Sequence, residues 1–194
     1  DVFRDRVNAI LQAKAFRDVL TAHGLEIEHI TESKQTATVQ RWKLGVRTMD
    51  SDRVLPTKIE VSRRGLQSGT RFESVRPEIL RAYGLAPILV THYDAEAAAR
   101  QKLVALAARA TPQARDVFDL YLLHQSGASL ARAAREIRRP VEELVERVLD
   151  TTYKIFQGQV LAYLPPEEQT RYADPRVWDA MVVTVVDALG GKAS

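Results

Sequence analysis

Apolar residues follow two different rhythms along this chain. From Val2 to about Ala22 they recur at helical spacing: Phe3, Val7 and Ile10, with Ala9, Ala13, Phe16 and Leu20, cover one broad face and predict a single helix. His23-Gly24 is expected to end it, because glycine adopts the left-handed backbone just past a helix C-terminus. The period then shortens to two. Leu25–Ile30 alternates and predicts a strand. Val39–Val46 predicts a second, with Trp42, Leu44 and Val46 on one face and Arg41 and Lys43 on the other. Val54–Arg63 predicts a third. Its apolar content is Leu55, Ile59 and Val61, and Lys58, Glu60 and Ser62 share the opposite face. Asp50-Ser51-Asp52 is expected to be a turn, since short polar side chains hydrogen-bond nearby backbone. A short strand at Pro87–Val90 is expected to join the same antiparallel or mixed sheet.

After Asp94 the rhythm is helical throughout. Ala95–Ala108 is alanine-rich and carries Lys102, Leu103 and Leu106. Thr111-Pro112 predicts the start of the next helix, which runs to about His124 and stops at Gly127. Leu130–Ile137 is a short helix. Pro140 is expected to open a long one through Val141, Leu144, Val145, Val148, Leu149, Thr152, Ile155 and Phe156. Pro165-Pro166 punctuates the chain, and a last helix carries Trp178, Met181, Val182, Val185, Val186 and Leu189. The predicted class is α+β: a helix-plus-sheet part over residues 1–93 and an all-helical part over 94–194.

Composition narrows the chemistry. The 194 residues suit one domain or two small ones. With no cysteine, disulfides, thiolate catalysis and Cys-based zinc sites are excluded, and a reducing compartment such as the cytoplasm is expected. No apolar stretch is long enough to span a bilayer, and no membrane partner is expected. Net charge is only +3, yet Arg41–Arg81 holds ten Lys or Arg against five Asp or Glu. That segment is either a solvated mixed-charge face or one that attracts phosphates.

A few residues stand where chemistry is possible. Glu60, beside Lys58 on a strand, is either a solvent-facing charge or a carboxylate ligand for Mg²⁺ on a rigid element. Asp116 and Asp119 lie three apart on one helix, interrupting the apolar run of Val117, Phe118, Leu120 and Tyr121. They either pair with Arg115 or Lys102 to fasten two helices or mark an active site. Lys102 either snorkels among alanines or presents a point charge to phosphate.

Three segments occur in order: Thr57-Lys58-Ile59-Glu60-Val61, Gln101-Lys102-Leu103-Val104-Ala105-Leu106, and Arg115-Asp116-Val117-Phe118-Asp119-Leu120. Together they resemble the AbiEii/AbiGii toxins, nucleotidyltransferase-like proteins of type IV toxin–antitoxin and abortive-infection systems. The family's motifs are a Lys-Ile-Asp/Glu strand, a helix with Ala-x-Lys-x-x-Ala, and Arg-x-Lys-Asp-x-x-Asp on the next helix. This chain departs at Arg100, where the family has alanine, and at Gln113 and Arg115, where it has arginine and lysine.

The resemblance implies a partial nucleotidyltransferase-like sheet with flanking helices, followed by a helical domain. It implies transfer of a nucleoside monophosphate from an NTP to RNA, such as a tRNA 3′ end, or to a protein, with Mg²⁺, and a cognate antitoxin as partner. Glu60 would be a metal carboxylate. Lys102 would hold the triphosphate, and Asp116 would complete the polar cluster beside it. Lys58 would touch phosphate or RNA, Arg115 would serve phosphate, and Asp119 would be structural. Such enzymes place a Gly-Gly/Ser turn and an Asp-x-Asp strand upstream of these motifs. Asp50-Ser51-Asp52 matches only by spelling, and as the chain opens at Asp1 that module is expected to lie outside it. The chain alone is then expected to lack the two-metal site.

Two further features carry weaker signals. Arg132, Arg135, Arg138 and Arg139 faintly resemble a helix-turn-helix, against which stands a short basic packing helix. His23, His29, His92 and His124 show no metal spacing. The alternative to a transferase is a non-catalytic nucleic-acid-binding module or a degenerate transferase fold.

Overall fold

The computed structural model describes residues 1–62, 65 and 68–191. The chain packs as two compact units, Asp1–Leu66 and Gln67–Ser194, each with its own core.

The first unit is a helix pair on a three-stranded sheet. Helices α1 (Val2–Gln12) and α2 (Lys14–Ala22) replace the single helix expected there. The cause is the apolar spacing. Val7 and Leu11 are four apart, as are Phe16 and Leu20, but five residues separate Leu11 from Phe16. A straight helix would turn the second pair about 180° from the first. Ala13 breaks it with an extended ψ of 130°, and both pairs reach one core. Strands β1 (Leu25–Gln35), β2 (Val39–Thr48) and β3 (Ser51–Ser62) form an antiparallel meander in sequence order. All three are longer than expected, and β3's predicted end at Arg63 lies outside the described residues. The turn falls on Met49-Asp50, so Ser51 and Asp52 already begin β3.

Alternation gives this sheet one apolar face. Trp42, Leu44 and Ile27 are buried against Leu11, with Val7, Phe16 and Leu20 around them. Trp42 donates its indole N–H to Asn8 Oδ1 at 2.8 Å, and Asn8 Nδ2 donates to Glu32, which ties α1 to the sheet. The opposite face is polar, as expected of an antiparallel sheet covered on one side.

The second unit opens with a separate two-stranded sheet. Strand β4 (Thr70–Ser74) pairs antiparallel with β5 (Leu89–Tyr93), and α3 (Pro77–Ala82) lies between them in sequence. The strand expected near Pro87–Val90 therefore pairs with β4 and does not join β1–β3. Strand β4 escapes the sequence pattern because all five of its residues are exposed. Composition placed a junction at 93/94, whereas the packing divides the chain at 66/67. Asp94 N–H donates to the Gly69 carbonyl at 2.9 Å, so the β4–β5 hairpin stays with the helices. Gly69 (φ +88°) sits so close to the next helix that a Cβ would come 2.8 Å from that of Ala97.

Helices follow: α4 (Ala95–Ala108), α5 (Ala114–Gln125), α6 (Leu130–Ile137), α7 (Val141–Leu149), α8 (Tyr153–Gln159), a 3-10 turn at Leu161–Tyr163, α9 (Pro166–Tyr172) and α10 (Pro175–Leu189). Their shared core includes Leu103, Leu106, Val117, Leu120, Leu144, Val148, Phe156 and Trp178. Helix α5 does not start at Thr111-Pro112. It begins two residues later, with its first N–H satisfied by Gln159 Oε1 of α8 at 3.0 Å in place of a local threonine cap. The long helix expected from Pro140 is two helices. Thr151 Oγ1 bonds the Val148 carbonyl at 2.6 Å and Thr152 caps α8, so hydroxyls compete with the helical ladder. Trp178 N–H donates to the freed Thr151 carbonyl at 3.2 Å.

The two tryptophans, Trp42 and Trp178, fall one in each unit. Fully buried Leu144 lies in the second. In a Trp42→Phe background, Leu144→Ala is expected to lower the urea unfolding free energy reported by Trp178 fluorescence by about 2–5 kcal/mol. An unchanged midpoint would contradict the assigned core.

Candidate functional site

In the second unit, the sequence-predicted residues Lys102, Asp116 and Asp119 meet. Helices α4 and α5 pack side by side, and the three-residue spacing puts both aspartates on the α5 face toward α4. Asp116 sits in the first turn of α5, where a negative charge complements the helix dipole. It is 1% exposed. A buried carboxylate needs hydrogen-bonding partners, and Asp116 has a strong one. Arg109 Nε donates to its Oδ2 at 2.7 Å, and Lys102 Nζ stands 3.5 Å from Oδ1. Lys102 is paired more closely with Asp119, and that pair is about a third exposed on both sides.

Arg109 was missed by the sequence pattern. It caps the end of α4, and its carbonyl accepts from Arg147 of α7 at 2.8 Å. Its backbone is thus held from one helix while its side chain reaches another. The available signal was a cation just past the end of an alanine-rich helix, seven residues before Asp116 across a short connection. Arg115, the partner weighed from sequence, is exposed and makes no ion pair among the described residues. Gln113 is the N-cap residue of α5, and among the described residues its side chain donates to local carbonyls, Thr111 and Pro112, both at 3.3 Å. Arg100 ties α4 to α6 through Glu136 at 2.8 Å.

In the first unit, Glu60 and Lys58 lie on the polar face of β3. Glu60 is directly opposite Arg41 of β2, whose Nε donates to it at 2.7 Å, and Lys58 Nζ is 3.9 Å away. The Arg41 hydrogen bond, aided by the charges of Arg41, Lys58 and Lys34 against some desolvation, lowers the Glu60 carboxyl below its ordinary value. Among the described residues no group of three His, Cys, Asp or Glu could hold a metal ion. A lone carboxylate already bonded to arginine does not fit a divalent-cation cage by itself. Helix α6 buries Leu130, Ala131, Ala133 and Ala134, while Arg132 pairs with Glu136 and Arg139 with Glu143.

A family model described as "Nucleotidyl transferase AbiEii toxin, Type IV TA system" matches residues 1–184. The chain belongs to the AbiEii toxin family. Two solved structures are similar in backbone. One is a Helicobacter pylori protein assigned as a nucleotidyltransferase, with 17% identity, TM-score 0.46, 89% of this chain covered and 71% of that one. The other is JHP933 from Helicobacter pylori, with 18% identity, TM-score 0.45, and 87% and 68% covered. Neither likeness carries a residue's role to this chain. No curated protein matches it. The AbiEii family is one of toxins in type IV systems, so an antitoxin counterpart is implied. No helix of the described residues is long and apolar enough to cross a membrane.

Two measurements check this geometry. Arg109→Ala leaves Asp116 buried without its best donor, and is expected to cost about 1–3 kcal/mol in chemical denaturation. Arg115→Ala should stay within about 0.5 kcal/mol. Equal losses would remove the special standing of Arg109. The second measurement concerns Glu60. Its folded carboxyl value is depressed, so the stability it draws from Arg41 is present above the ordinary carboxylate range and lost as pH falls through the folded value. A carboxyl-carbon NMR titration should place Glu60 below free glutamate, and Arg41→Ala should move it back up. A midpoint insensitive to Arg41 would overturn the assignment.

Proposed function

We propose that this AbiEii-family protein transfers a nucleoside monophosphate from an NTP to an RNA, such as a tRNA 3′ end, or to a protein acceptor. An acceptor hydroxyl oxygen forms the new bond to the α-phosphorus. The bond from that phosphorus to the bridging oxygen breaks, pyrophosphate leaves, and the hydroxyl proton passes to solvent. The observation that carries the reading is Lys102, which stands in the family's motif and is held by two aspartates of unequal exposure. Asp116, buried and clasped by Arg109, keeps the ammonium in place. Asp119 is the exchangeable partner, because its pair is open to solvent and a phosphate oxygen can replace its carboxylate.

Glu60 is proposed as one oxygen ligand for Mg²⁺, which supplies charge neutralisation to phosphates when bound. Binding there requires Arg41 to release the carboxylate. Lys58 and exposed Arg115 are proposed as phosphate contacts. One observation favours the alternative of a non-catalytic nucleic-acid-binding module: Glu60 sits amid cations with no second carboxylate ligand set among the described residues.

The two readings separate in one assay. The intact protein is incubated with α-labelled NTPs, Mg²⁺ and either tRNA or cell protein. Label transfer is expected, reduced at least about a hundredfold by Lys102→Ala, the scale of losing a positioned charge at a developing phosphate charge. Asp116→Asn should act in the same direction. Absence of transfer to either acceptor with every NTP would sink the transferase reading and leave the binding module.

A further inference from the structure

The open face of the β1–β2–β3 sheet carries a charge arrangement that folding does not require. Lys43 of β2 and Lys58 of β3 stand directly opposite each other. Like charges in that position repel. Nearby carboxylates do not resolve the repulsion. Glu60 is committed to Arg41 at 2.7 Å and only approaches Lys58 at 3.9 Å, while Glu28 pairs with Arg47. Lys43 makes no ion pair among the described residues, and neither does Lys34, which lies opposite Arg41 on β1. A local violation of good pairing on a rigid sheet is where function is expected to lie.

The two lysines line a groove of about 790 Å³, open to solvent, together with Gly45, Pro56 and His29. His29 is opposite Gly45 in the β1–β2 register. A Cβ at Gly45 would stand 2.2 Å from the His29 ring, so the missing side chain makes the notch in which the imidazole lies. The ring remains exposed. A flat ring beside two ammonium groups combines the two elements that hold unpaired nucleotides: a stacking platform and a cationic track.

We propose that this groove binds a single-stranded polynucleotide, with backbone phosphates on Lys43 and Lys58 and one base stacked on His29. A polymer suits it better than a free nucleotide because the cations continue along the face. Arg41 and Lys34 lie one step of two residues, about 7 Å, beyond Lys43. A single strand suits it better than a duplex because only an unpaired base offers its face to the ring. The proposal rests on the transferase reading only in naming the form of its RNA acceptor, and binding is separable from transfer.

The test is fluorescence anisotropy of the intact protein, without NTP or Mg²⁺, using labelled oligoadenylate and the same strand annealed to oligouridylate. The single strand is expected to bind more tightly than the duplex. Lys43→Ala with Lys58→Ala should weaken it about tenfold and reduce the slope of log affinity against log salt by about 1.4. His29→Ala should weaken it at least about fivefold, and His29→Phe should restore it, because a phenyl ring still stacks. Circular dichroism confirms that each variant is folded. Equal affinity for duplex, indifference to the lysine pair, or displacement of the oligonucleotide by ATP at equal affinity would each overturn the proposal. Specific oligonucleotide binding without label transfer would leave the groove standing and the transferase reading lost. Transfer to RNA with binding unaffected by these variants would do the reverse.

Discussion

The Asp116 carboxylate is the constraint around which the helical unit is arranged. A charge at 1% exposure is tolerated only with cations at hydrogen-bonding range, and they come from two places on α4. Arg109 closes the end of that helix and Lys102 stands two turns earlier. For both to reach Asp116, α4 and α5 must pack in one register. Arg147 adds a third helix by holding the Arg109 carbonyl. The apolar core of Leu103, Leu106, Val117 and Leu120 supplies the driving force, and the buried carboxylate selects the alignment. The same selection leaves the Lys102 ammonium at the edge of the cluster, shared with an aspartate about a third exposed.

The first unit solves a different problem. Its sheet buries one face under α1 and α2 and leaves the other wet. Alternation then sorts the side chains: Trp42 and Leu44 inward, Arg41, Lys43, Lys58 and Glu60 outward. Antiparallel register decides which of these meet. It sets Arg41 against Glu60 and satisfies both, and it sets Lys43 against Lys58, where Lys58 has only a 3.9 Å approach to Glu60 and Lys43 has no ion pair among the described residues.

Much of this was legible in the sequence. Period-two alternation located all three strands of the meander, and two of the three motif segments held the residues of the Lys102–Asp116–Asp119 cluster. What failed did so for identifiable reasons. The break at Ala13 went unseen because Ala9, Ile10 and Ala13, all exposed, filled in the apolar face, and the break at Thr151-Thr152 because the apolar spacing runs on through it. Strand β4 has no buried residue and hence no pattern. Helix α5 starts without the threonine cap because Gln159, far off in sequence, supplies the acceptor. Arg109 was missed because its position past the end of α4 is only a weak signal, and its partner is set by how two helices end and begin.

The sequence by itself determined the α+β class, the sidedness of each amphipathic element and membership of the AbiEii family, since these depend on local periodicity and on residue identity at fixed spacing. Only the tertiary structure decided which charges meet. It chose Arg109 and Lys102 over Arg115 as partners of Asp116, and it committed Glu60 to Arg41. It also laid the His29 ring in the notch at Gly45. The physical reason is common to all three. Ion pairs and ring contacts act over a few ångströms, so they depend on strand register and helix packing that distant residues set.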